Sequence, residues 1–226
     1  MPVTSLEREL DLSKDRPRPP TPLDALALAR ERWLQQGRLD MGALASELGV
    51  SRATLHRWVG TKERLLGEVL WTFAEATIRD ARAAARGTGP DYLADSIERY
   101  MRAALQFGPL VRFVEQDPEY ALKVLASKHS PMQRRSIAAM RSQLEEQVEA
   151  ANLTPALDLD DLAYLLVRIV ESYLYSDVIT GSEPNIPRAI DAIRVLLHAA
   201  PAPAPAKRQN GSRARRSRSK ANAAVA

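Results

Sequence analysis

The stretch Asp40–Leu70, DMGALASELGVSRATLHRWVGTKERLLGEVL, decides the fold. Met41, Leu44, Ala45 and Leu48 recur at helical spacing, so a first short helix buries one face. Asp40 is placed to cap its free N–H groups, and Gly49 stands where a helix stop takes a left-handed conformation. Ser51 is the N-cap of a second helix in which Leu55 and Val59 face inward. Arg52, Ala53, Thr54, His56, Arg57 and Trp58 are left at or near the outside. A short helix with arginines, hydroxyls and a flat ring outside suits the major groove of DNA, although a helical hairpin with solvated charges has the same geometry.

Upstream, Thr21-Pro22 opens an earlier helix, with Thr21 as N-cap, Asp24 in the first turn and Gly37 at its close. Leu23, Leu26, Ala27, Trp33 and Leu34 are its expected buried face, with Trp33 a core residue. On the other side, Gly60-Thr61-Lys62 opens a long helix to about Arg86, striped by Leu65, Leu66, Val69, Leu70, Phe73 and Ala76. Lys62 lies in its first turn, where free N–H groups already favour an anion, and is a phosphate-binding candidate.

Further on, prolines punctuate the chain at helix starts. Helices are expected near 90–107, 109–116, 118–128, 131–151, 159–180 and 187–199, and no run has strand periodicity. The fold class is all-α. The helix Leu159–Thr180 is apolar on several faces, so it needs several partners. The helix near 187–199 supplies one, and either the monomer's own core or a second copy of the chain supplies another.

The motif order Leu44-Ala45, Leu48-Gly49-Val50-Ser51, Ala53-Thr54-Leu55, Thr61-Lys62-Glu63, Leu65-Leu66 resembles the DNA-binding domain of TetR-family regulators. His56 stands where that family usually has tyrosine, Trp58 where it has histidine or tyrosine, and Val59 where it has phenylalanine. TPLDALALARERW, SRATLHRWVG, LLGEVLW and YSDVITG further resemble the QsdR-type subgroup. The resemblance covers about 21–199. It implies a three-helix helix-turn-helix domain over 21–68, with the helix 62–86 continuing as a connector, and an effector-binding and dimerisation domain over 69–200. It also implies a homodimer built on the C-terminal helices, a double-stranded DNA operator of palindromic form, and release by a small-molecule effector, lactone-like in that subgroup. Effector-lining candidates are Tyr100, Phe107, Phe113, Tyr120 and Tyr173, with Arg102, Arg112 and Glu115 nearby; most of these aromatics also suit an ordinary core. Arg168 and Glu171, three apart on an apolar helix, read as a structural ion pair or interface contact more readily than as a ligand clamp.

Composition sets bounds. The absence of Cys fits a reducing cytoplasm, and no signal peptide or membrane-spanning run is evident. His56, His129 and His198 are far apart, and neither a carboxylate–histidine pairing nor a phosphate loop is evident, so no catalytic site, cofactor or metal is expected. The net charge of +4 hides a polarity. The tail 201–226 carries seven basic residues and no acids, and taking these seven from 32 leaves 25 basic against 28 acidic. The tail reads as a disordered phosphate-binding segment or as compositional drift, and the arm 1–20, with Arg16 and Arg18 among prolines, as a DNA-touching arm or a plain leader. A ligand-independent architectural DNA-binding protein is the rival function; the large acidic helical domain counts against it.

Overall fold

A computed structural model describes residues 18–127 and 130–199. The expectations for most of the arm and for the basic tail lie outside the described residues. Among the described residues there are eleven helices and no strand: α1 Pro22–Gln36, α2 Met41–Glu47, α3 Arg52–Val59, α4 Lys62–Ala84, α5 Gly89–Gln106 and α6 Gly108–Gln116, followed by α7 Pro118–Ala126, α8 Pro131–Glu149, α9 Leu159–Leu174, α10 Ser176–Thr180 and α11 Ile186–Leu197. No described helix is long and apolar enough to cross a membrane.

Local chemistry explains where the helices begin. Thr21 and Asp24 form a reciprocal capping box at α1: the Asp24 carboxylate accepts from the Thr21 N–H at 2.8 Å, and the Thr21 hydroxyl accepts from the Asp24 N–H. Asp117 and Ser130 cap α7 and α8, each directly before a first-position proline whose missing N–H costs the helix nothing.

Two expectations need correction. Leu23 (76% exposed) and Leu34 point outward on α1, as does Ala27, and the buried stripe is Ala25, Ala29 and Trp33. The four-residue spacing of these three sets the face, and the two alanines add little side-chain bulk between α1 and the helices packed on it. The helix expected over 159–180 is broken at Tyr175, where α9 gives way to α10. There the Ser176 hydroxyl donates to the Tyr173 carbonyl at 3.1 Å, a side-chain bond that competes with the helical ladder and bends it.

The apolar side chains gather into two clusters. One is built by α5, α8, α9 and α11 around Leu93, Met101, Leu144, Leu162, Leu166 and Ile193. The other holds α1 to α4 together around Trp33, Leu44, Leu55, Leu65 and Val69. It also takes in Phe113 of α6, Ala121, Val124 and Leu125 of α7, and Met132 of α8. The N-terminal helices thus share a core with the middle of the chain, and α4 belongs to both halves of the molecule.

Candidate DNA-reading surface and effector cavity

The reading surface is set by its turns. Asp40 accepts from the N–H groups of Gly42 and Ala43 at 2.7 and 2.9 Å, and these two bonds hold its carboxyl below the usual carboxylate range. At the other end of α2 the Gly49 N–H donates to Ser46 and the Val50 N–H to Ala45, a Schellman closure that needs Gly49 at φ +67°. Ser51 caps α3 by accepting from the Thr54 N–H at 3.1 Å, while its own hydroxyl donates to the Thr54 hydroxyl at 3.0 Å. Leu55 is buried beneath the helix, and the rest of α3 is anchored by that contact.

Ser51, Arg52, Ala53, His56 and Arg57 are exposed, and Thr54 is half-buried. Trp58 is half-buried and packs against the N-terminal core, so it supports the helix more than it extends from it. The Arg52 guanidinium folds back over Gly42: a Cβ built on that glycine would lie 2.5 Å from Nη2. Thr61 caps α4 by accepting from the Arg64 N–H, which leaves Lys62 in the first turn. The Lys62 ammonium lies over the Tyr120 ring, 5.7 Å from its centroid, and Lys123 on the same α7 reaches Glu63 at 3.6 Å.

The aromatic candidates divide. Phe107, Phe113 and Tyr120 join Trp33 and Phe73 in a ladder of ring contacts between α1, α4, α6 and α7, with centroids 5.2 to 6.2 Å apart. Tyr173 is a half-buried neighbour of the C-terminal core. Of the five, Tyr100 alone lines a cavity of about 60 Å³ between α4, α5, α8 and α9, and Tyr100 and Phe107 both line a neighbouring space of about 40 Å³. Arg102 is exposed and paired with Glu98, and Arg112 and Glu115 are exposed as well.

The cavity is mostly apolar, with Met132, Met140, Val167 and Leu174 in its walls. Its polar wall groups are Ser96, Ser136, Gln143, Tyr100, Tyr175 and Glu171. Glu171 is 9% exposed, and burial pushes its carboxyl up to about 7, against the pull of Arg168 at 2.6 Å. The Gln133 amide oxygen accepts from the same guanidinium at 2.9 Å, and its nitrogen donates to the Ala126 carbonyl at 2.6 Å. Burial pushes the Tyr100 phenol up to about 12, and that of Tyr175 well above the tyrosine range. These are neutral O–H groups in an apolar shell, with Glu171 titrating near neutrality. The arrangement can hold a small organic molecule through hydrogen bonds.

Sequence reasoning missed Tyr175, Gln143 and Ser96, and it weighed Glu171 chiefly as a structural partner of Arg168. Glu171 carried a signal, a carboxylate on an otherwise apolar helix. The others carried none, because only the crossing of α5, α8 and α9 brings them together.

The family described as tetracyclin repressor-like, C-terminal domain, matches residues 88–198. No curated protein matches the chain. Among solved structures, the TetR-family transcriptional repressor QsdR of R. erythropolis is 35% identical, with a TM-score of 0.74, covering 78% of this chain and 93% of that one. The TetR-family transcriptional regulator PfmR of Thermus thermophilus is 20% identical over 76% of this chain and 96% of that one, with a TM-score of 0.36. Identity at the level shared with QsdR over nearly its whole length, together with a capped helix-turn-helix beneath a helical domain, makes this chain a member of the TetR family of transcriptional regulators.

Proposed function

We propose that the protein is a repressor that binds a palindromic or near-palindromic operator as a homodimer and is released by a small organic effector. The observation that carries this reading is α3: capped by Ser51, seated on Leu55, and presenting Arg52, Ala53, His56 and Arg57 to solvent. In this reading these residues, with Ser51, Thr54 and the flanking Trp58 and Lys62, form the DNA-binding surface of an N-terminal domain over 21–68.

One reader helix per chain needs a second copy to span two half-sites. Tyr164, Leu165, Ile179 and Val195 are large apolar side chains left exposed on α9, α10 and α11, and these helices are where we seat the partner. The effector takes the cavity lined by Tyr100 and Glu171. A lactone-like effector, implied by the subgroup resemblance, fits a site rich in O–H donors.

Selection of bound DNA from a random pool tests the first part. A symmetric consensus, lost on combined substitution of Arg52 and Arg57 by alanine, is expected. Enrichment without any consensus would replace the repressor reading with a nonspecific DNA-binding one.

A further inference from the structure

Two further cavities adjoin the one lined by Glu171. A space of about 40 Å³ lies towards α6, beside Phe73 and Leu110, and another of about 70 Å³ lies between α5, α6 and α10, beside Val111 and Val114. Leu174 and Tyr175 line all three. Tyr175 stands at the joint between α9 and α10, with φ −110° and ψ 22°. Its ring therefore divides the space from a backbone position that no continuous helix holds.

The charges along these walls are one-sided. Among the described residues no lysine or arginine lines any of the three chambers. The acidic groups are Glu171 at the inner end and Glu115 and Asp177 at the outer one. A carboxylate ligand would meet no cation and would have to shed its water. An ammonium ligand at the inner end would meet a carboxyl that Arg168 already neutralises at 2.6 Å. An uncharged head group has neither difficulty, since Tyr100, Tyr175 and Gln143 offer it hydrogen bonds and the remaining walls are apolar.

We infer that the three chambers are one channel divided by Leu174 and Tyr175, and that its ligand is an uncharged amphiphile with a single apolar chain. The head lies between Glu171, Tyr100 and Gln143, and the chain passes Tyr175 towards Val111. This rests on the effector-cavity reading above and adds to it the shape and charge of the ligand.

Titration calorimetry of the full chain with 1-hexanol, 1-octanol and 1-decanol tests it. Affinity should rise about fourfold per methylene, as for burial of a CH₂ group. Leu110→Trp fills the outer chambers: hexanol binding should stay within twofold of the parent while the gain for decanol disappears. If that variant does not fold, Val111→Trp at the outermost chamber provides the same readout. Decanoate and decylammonium should each bind at least tenfold more weakly than decanol. A flat chain-length series, an unaltered decanol affinity in the tryptophan variant, or equal binding of a charged analogue would each overturn the inference while leaving the cavity as an effector site. Failure of every alkanol to bind would overturn both.

Discussion

The ammonium of Lys62 lies 5.7 Å from the centroid of the Tyr120 ring, so the first turn of α4 is held against α7 by the charge expected to meet DNA. Tyr120 is anchored in the aromatic ladder, and its own hydroxyl is buried without a hydrogen-bond partner. On the proposed reading, that ammonium exchanges the ring for a phosphate when DNA binds. Lys62→Ala should weaken binding to all sequences alike and lower the salt slope of log affinity by about one. Tyr120→Phe removes an unsatisfied group and should leave stability equal or higher. An unchanged slope in Lys62→Ala would take that ammonium off the phosphate backbone.

Arg52 rests over Gly42 and is otherwise free to extend. As a bidentate donor to guanine it should set one base pair in each half-site. Arg52→Ala is expected to relax that position at a cost of about 1–3 kcal/mol, measured by competition between operator variants. Gly42→Ala displaces only the far end of a flexible side chain, so its melting temperature should match the parent.

Gly67 of α4 lies directly against Pro131 at the start of α8. A Cβ there would lie 2.7 Å from Pro131 Cδ, and the ring has no rotamer into which to retreat. Gly67→Ala should cost about 1–3 kcal/mol through overpacking and lower the melting temperature measurably. A variant as stable as the parent would mean that the helices separate freely at this crossing.

Glu171 links stability to pH. Burial raises its carboxyl from 4.5 to about 7, with Arg168 opposing, and Tyr100, Tyr175 and Gln133 are its other polar neighbours. Between these two values the folded chain holds a proton that the unfolded chain has lost. The contribution is therefore full below 4.5 and is lost as pH rises through 7, by at most about 3 kcal/mol. Glu171→Gln should flatten denaturant midpoints between about pH 5 and 7.5. An identical pH profile in both proteins would show that the carboxyl is ionised throughout.

Val195 is 74% exposed in the single chain, and Tyr164 and Leu165 are exposed as well. Light scattering at micromolar concentration should give about twice 25.0 kDa. Val195→Glu combined with Leu165→Glu should give the single-chain mass with the helical signal retained. A dimer that survives both substitutions would place the interface elsewhere.

How far the sequence reaches differs between the two ends of the molecule. The helix-turn-helix was legible because its determinants are local. Asp40, Gly49, Ser51 and Thr61 each act within four residues through caps and turns, so their roles follow from spacing alone. Leu55 and Trp33 were legible as core for the same reason, being large apolar groups at helical period. The buried face of α1 was misjudged because Leu23 and Leu34 look more apolar than Ala25 and Ala29, while it is the alanines that the helices packed on α1 cover. The break at Tyr175 and the seating of Phe113 and Tyr120 in the aromatic ladder, away from the chambers that Tyr100 and Phe107 line, depend on which helices cross. The cavity itself is made by side chains from Ser96 to Tyr175, brought together by the packing of α5, α8 and α9. Caps and periods are short-range chemistry written along the chain; a cavity is empty space between helices, and its walls exist only once those helices have met.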